Sequence, residues 1–152
     1  MKKYKYRFQS LLRIRELQEE MAVREFREAV RLYAEAVEAL DGLRGEKTSL
    51  LDEMLHQRSS GTDLKIQQLY LDYLKALDGR IDDQRAEVDR CNQTVEERRE
   101  ELIESMRERK TLESLHVKDH ERYLVDLRRW EQSILDELAL LRHGRESVIN
   151  GM

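Results

Sequence analysis

Glu113, His116 and His120 repeat at helical spacing, so a helix would place all three on one face, where they could reach a single zinc ion. A solvated helix gives such ligands no supporting hydrogen bonds, however, and histidines among so many charges are ordinary solvent-facing residues. No metal site is therefore assigned. Cys91 is the only cysteine, which excludes an internal disulfide. Its position on an apolar seam makes it a small packing residue. The opening Lys3-Tyr4-Lys5-Tyr6-Arg7-Phe8 alternates bases with aromatics, a texture able to grip nucleic acid by charge and stacking. At the end of a chain with net charge -4, it reads better as an exposed helix end whose rings enter a protein groove. The sequence has no Gly-rich phosphate loop, Gly-x-Ser-x-Gly elbow or HExxH pair. Catalysis is not expected, nor is a cofactor.

The elements that must carry these residues are helices. The 152 residues include no proline, 39% are charged and only 6% aromatic. Such a surface is built from strong helix formers with nothing to break them. Large apolar residues nevertheless recur at regular spacing, which a disordered chain lacks. Alternating steps of four and three from Phe8 meet Leu12, Arg15, Glu19, Ala22, Phe26, Ala29, Tyr33, Ala36, Leu40, Leu43, Lys47, Leu50 and Met54. Only Arg15, Glu19 and Lys47 interrupt this seam. A second walk meets Tyr70, Leu74, Leu77, Ile81, Gln84, Val88, Cys91, Val95, Arg98 and Leu102. An apolar period of 3.5 residues sustained this long specifies a left-handed coiled coil.

Between the seams lies Ser59-Ser60-Gly61-Thr62-Asp63, where Gly61 can end one helix and Thr62 or Asp63 can cap the next. The expected fold is all-α: a two-helix antiparallel coiled-coil hairpin forming a single domain. Helix one should span about 5–58, the turn 59–62, helix two about 63–143, with a flexible tail at 144–152. Counted from the turn, Phe8 should lie near Leu112. Beyond Leu102 the register falters at Ser105, Arg109, His116 and Asp119, and apolar residues then return from Tyr123 to Leu141. That last stretch of helix two has no intramolecular partner, so its stripe should bind another protein or, alternatively, a second copy or a folded-back tail. Gly42, Gly45 and Gly79 are either bend points or places where the helices crowd.

No run approaches the roughly 20 apolar residues of a membrane span, no secretory signal opens the chain, and a lone cysteine suits a reducing compartment. Lys2, Lys3, Lys5, Arg7, Arg13 and Arg15 precede the first acid, Glu16, forming a basic tip suited to an acidic partner surface.

Both ends resemble the FliJ family of the bacterial flagellar type III export apparatus. The opening Tyr6-x-Phe8-x-x-Leu11-Leu12-x-x-Arg15 is similar to that family's start, and Glu131-x-x-x-Leu135-Asp136-Glu137-x-Ala139-x-x-Arg142 to its ending. The resemblance implies a non-enzymatic stalk, similar to that of rotary ATPases, inserted in the hexameric export ATPase ring. It also implies a role in ring assembly, contact with the cytoplasmic domain of the membrane export gate, and recycling of export chaperones. The ring contact would draw on Phe8, Leu11, Leu12 and Arg15, and on Leu135, Asp136, Leu138 and Arg142. The protein is expected to be an elongated monomer that does not bind nucleic acid, cytoplasmic and peripheral to the inner face of the cell membrane. The injectisome stalk of the same design, or a generic coiled-coil scaffold or chaperone, is the alternative.

Overall fold

The computed structural model describes residues 3–61 and 63–151 and contains two helices, α1 (Gln9–Ser59) and α2 (Leu64–Asn150), with no strand among the described residues. Their pairing is antiparallel and α2 is the longer, as the seams require. Contacts divide the chain into two compact units, one from Glu19–Ser105 and one from Met1–Gln18 with Met106–Met152.

The first unit is the hairpin around the turn. Gly61 ends α1 in the left-handed region at φ 74, and its N–H donates to the Arg58 carbonyl. Ser59 and Ser60 hydroxyls both donate to the His56 carbonyl, which also accepts from the Ser60 N–H as α1 ends. Asp63 caps α2: its carbonyl accepts from Gln67 N–H and its side chain from Lys65 N–H. The alternative cap, Thr62, lies outside the described residues.

Leu40, Leu50, Leu77 and Ile81 form the buried cluster of this unit, with Leu43, Met54, Tyr70, Leu74 and Val88 packed against them. Farther from the turn, Ala22, Ala29 and Ala36 are buried, small residues that let two helices approach closely. Every residue of the two seam walks in this unit is buried or half-buried, polar exceptions included. Those exceptions meet partners across the interface. Lys47 pairs with Asp78 at 2.7 Å, Arg98 with Glu25 at 3.3 Å, and the Gln84 amide donates to the Ala36 carbonyl at 2.9 Å. The partner number falls as the residue number rises, the mark of antiparallel chains. Glu101 first, then Glu25, raises the Arg98 guanidinium above its ordinary value. Cys91 is half-buried and its thiol faces Glu87 Oε1 at 3.6 Å; burial, more than that carboxylate, pushes it upward.

Crowding does not explain the glycines. A Cβ added at Gly42, Gly45 or Gly79 would meet nothing within 4 Å.

The second unit departs from expectation at both chain ends. Helix one starts at Gln9 rather than near residue 5, and residues 3–6 are not helical. Helix two continues to Asn150, through the stretch expected to be a flexible tail. Tyr6, Leu12 and Leu112 form its small core, with Tyr4 packed against it. Tyr6 therefore occupies the place opposite Leu112 expected for Phe8, which is exposed.

Candidate functional site: the end of α2 and the strap beside it

Residues 3–8 form a short strap laid against α2. The alternation Lys-Tyr-Lys-Tyr has period two, so an extended backbone turns Lys3 and Lys5 outward and Tyr4 and Tyr6 inward. The Tyr6 hydroxyl donates to the Leu112 carbonyl at 2.9 Å, and the Tyr4 hydroxyl donates to Asp119 Oδ2 at 3.4 Å. The Tyr6 ring stacks on His116 with centroids 4.4 Å apart; Tyr4 lies 4.7 Å from His120 and 5.1 Å from Tyr123. Burial first, and then the charge of Asp119, holds both phenols above the ordinary value of 10.0.

This packing accounts for the faltering register. Ser105, Arg109, Leu112, His116, Asp119 and Tyr123 continue the alternation of threes and fours from Leu102, Leu127 follows after a second step of four, and all are buried or half-buried. The face keeps facing inward, but from His116 on it is covered by tyrosines, which accept polar neighbours, rather than by a leucine helix. His116 is consequently a stacking platform and not the solvent-facing residue expected. Glu113 pairs with Arg109 at 2.7 Å, and among the described residues no group of three or more His, Cys, Asp or Glu could hold a metal. The tyrosines are likewise engaged and not free to stack on nucleobases while the strap is docked.

Past Tyr123 the large apolar residues of α2 stand mostly open among the described residues. Leu124, Trp130, Ile134, Leu135, Leu138, Leu141, Val148 and Ile149 are all exposed, and only Leu127 is half-buried. At 100° per residue, most of these fall within one stripe that prolongs the strap-covered face.

The residues assigned to a ring contact fall into two places. Leu12 is committed to the core, and Arg15 pairs with Glu108 at 2.6 Å and also donates to Gln18. Phe8 and Leu11 are exposed, the Phe8 ring lying under the Arg7 guanidinium at 5.3 Å. On α2, Leu135, Leu138 and Arg142 share a face, with Arg142 reaching Glu146 at 3.7 Å. Asp136 points away from Leu138, half a turn round, and accepts from Gln132 at 2.9 Å. Leu112 and Leu135 are roughly 35 Å apart along the helix, so the two groups do not form one patch.

Sequence reasoning missed the docked strap, whose period-two alternation was the available signal. It also missed the apolar surface beside the turn, where Leu51, Leu55 and Leu71 line a groove of about 380 Å³. No helix among the described residues is long and apolar enough to cross a membrane.

A two-helix antiparallel coiled coil with an uncovered helix end defines a stalk-like class of protein. A family model described as Flagellar FliJ protein matches residues 4–147, and the chain belongs to the FliJ family. Membership sets it among the components of the type III export apparatus, whose members are structural. The solved structure of a putative YscO homolog from Chlamydia trachomatis is similar in fold, with a TM-score of 0.58 and 19% identity over 95% of this chain and 98% of that one. Among curated proteins none matches.

Proposed function

We propose that this protein is the stalk of a flagellar export ATPase, a non-enzymatic rod that binds the hexameric ring, promotes its assembly and connects it to the cytoplasmic domain of the export gate. The observation carrying this reading is the exposed apolar stripe of α2 from Leu124 to Ile149, the kind of surface that marks a protein interface. Leu135, Leu138 and Arg142 are its contact residues, with Phe8 and Leu11 as the free members of the second group. Leu12 and Arg15 act indirectly, by holding the start of α1 against α2. Asp136 serves only if the ring surrounds the helix on both sides. Export chaperones and a peripheral place at the membrane follow from the same family reading.

Light scattering coupled to gel filtration, with the cognate ATPase added, tests this. Co-elution with a larger ATPase oligomer is expected, and Leu135→Asp should abolish it while leaving helicity intact. An ATPase that elutes unchanged beside the wild-type protein would leave a generic coiled-coil scaffold. The injectisome reading is separated by offering the ATPase of each system in turn.

A further inference from the structure

We infer that in the free protein the uncovered stripe of α2 is covered by the same stripe of a second copy, running antiparallel about a two-fold axis near Glu137. The stripe continues the face of α2 already occupied by the strap, and so prolongs an existing helix interface. It begins where Tyr4 leaves off at Tyr123 and ends with the helix at Asn150. Two copies aligned this way overlap without remainder, since each Asn150 stops beside the other copy's strap.

Charge selects the antiparallel direction. About an axis near Glu137, Glu131 of one copy stands within one residue of the level of Arg142 of the other, and Arg128 is level with Glu146. A parallel pair would set each of these against itself. Glu137 meets its own copy at the axis, a repulsion that water and salt screen on the flank.

Shape agrees with charge. About the same axis, Ile134 falls between the levels of Leu138 and Leu141 of the second copy, and Leu124 beside Ile149. Trp130, exposed in the single chain, comes level with Gly144 of the second copy. Leu140, Leu141, Gly144 and Val148 line a shallow groove of about 540 Å³, and Gly144 leaves it open where a side chain would stand. The largest side chain of the stripe thus faces its smallest. The dimer keeps the stripe from water until a different partner takes it, and it needs no assumption about that partner.

Trp130 is the only tryptophan and reports the contact directly. Light scattering over a dilution series should give twice 18.3 kDa falling to 18.3 kDa, with Trp130 emission moving to longer wavelength as the dimer dissociates. Gly144→Leu, which fills the groove with a good helix former, and Leu138→Asp should each give a monomer at concentrations where the wild type is dimeric, without loss of helicity. In a Cys91→Ser background, Glu137→Cys should form a disulfide-linked dimer and Leu124→Cys should not. A mass of 18.3 kDa at every concentration overturns the inference, as does a dimer indifferent to both substitutions or one linked through Leu124→Cys. Because the protein is tested alone, these results stand apart from whether it binds an ATPase.

Discussion

The hydroxyl of Tyr6 donates to the backbone carbonyl of Leu112 at 2.9 Å, joining residues 106 positions apart. That carbonyl lies in the interior of α2 and has two lone pairs, so it can take this bond beside its helical one. Tyr6→Phe removes one buried hydrogen bond and keeps the ring on His116; a loss of about 1 kcal/mol is expected. Tyr6→Ala empties a site that is almost fully buried and should cost about 3 kcal/mol. Urea unfolding gives both values, and amide exchange in residues 3–8 should rise far more in the alanine variant.

The strap should also release at alkaline pH. Folding raises the Tyr4 and Tyr6 pKa above 10.0, so the protonated phenol is the form the fold favours. Stability from this source is complete below pH 10 and is lost as pH rises through the folded values. Phenolate absorbance should show part of the tyrosine titrating late, including Tyr70, whose burial acts in the same direction. In a Tyr4→Phe, Tyr6→Phe variant most of that late fraction should vanish.

Glycine positions should respond in opposite ways. At Gly42, Gly45 and Gly79 a methyl group has room, so alanine should stabilise the helices by about 0.5–1 kcal/mol at each site. At Gly61 alanine also has room, but φ is 74, and the substitution should cost about 1 kcal/mol. Thermal unfolding of the four single variants decides the matter.

The core beside the turn should dominate stability. Leu77 is 1% exposed, and Leu77→Ala is expected to cost about 3 kcal/mol. Interhelical ion pairs should contribute much less. Arg15–Glu108, Lys47–Asp78 and Arg98–Glu25 all have side chains at least a third exposed, so solvent screens them. Double-mutant cycles should give at most about 1 kcal/mol for each. A larger coupling for Lys47–Asp78 would mean the seam lysine sets register.

The sequence by itself determined the helices, their seams and the turn. Leucines and alanines every 3.5 residues admit one packing, and a missing proline with Gly61 at the break leaves one place to reverse. Even polar seam positions such as Lys47, Gln84 and Arg98 were placed correctly, because period does not depend on residue type. Only the tertiary structure decided the fate of the chain ends. Six residues starting Lys-Tyr are compatible with a frayed helix or an extended strap, and local propensity is too weak to choose. What chose was the far partner: His116, Asp119 and Tyr123, more than a hundred residues away, offer rings and a carboxylate that tyrosines can meet and leucines cannot. The same contacts turned Leu12 and Arg15 from candidate docking residues into packing ones, and they fixed where the open stripe of α2 begins. Such decisions rest on contacts between distant residues, and no local reading of the chain contains them.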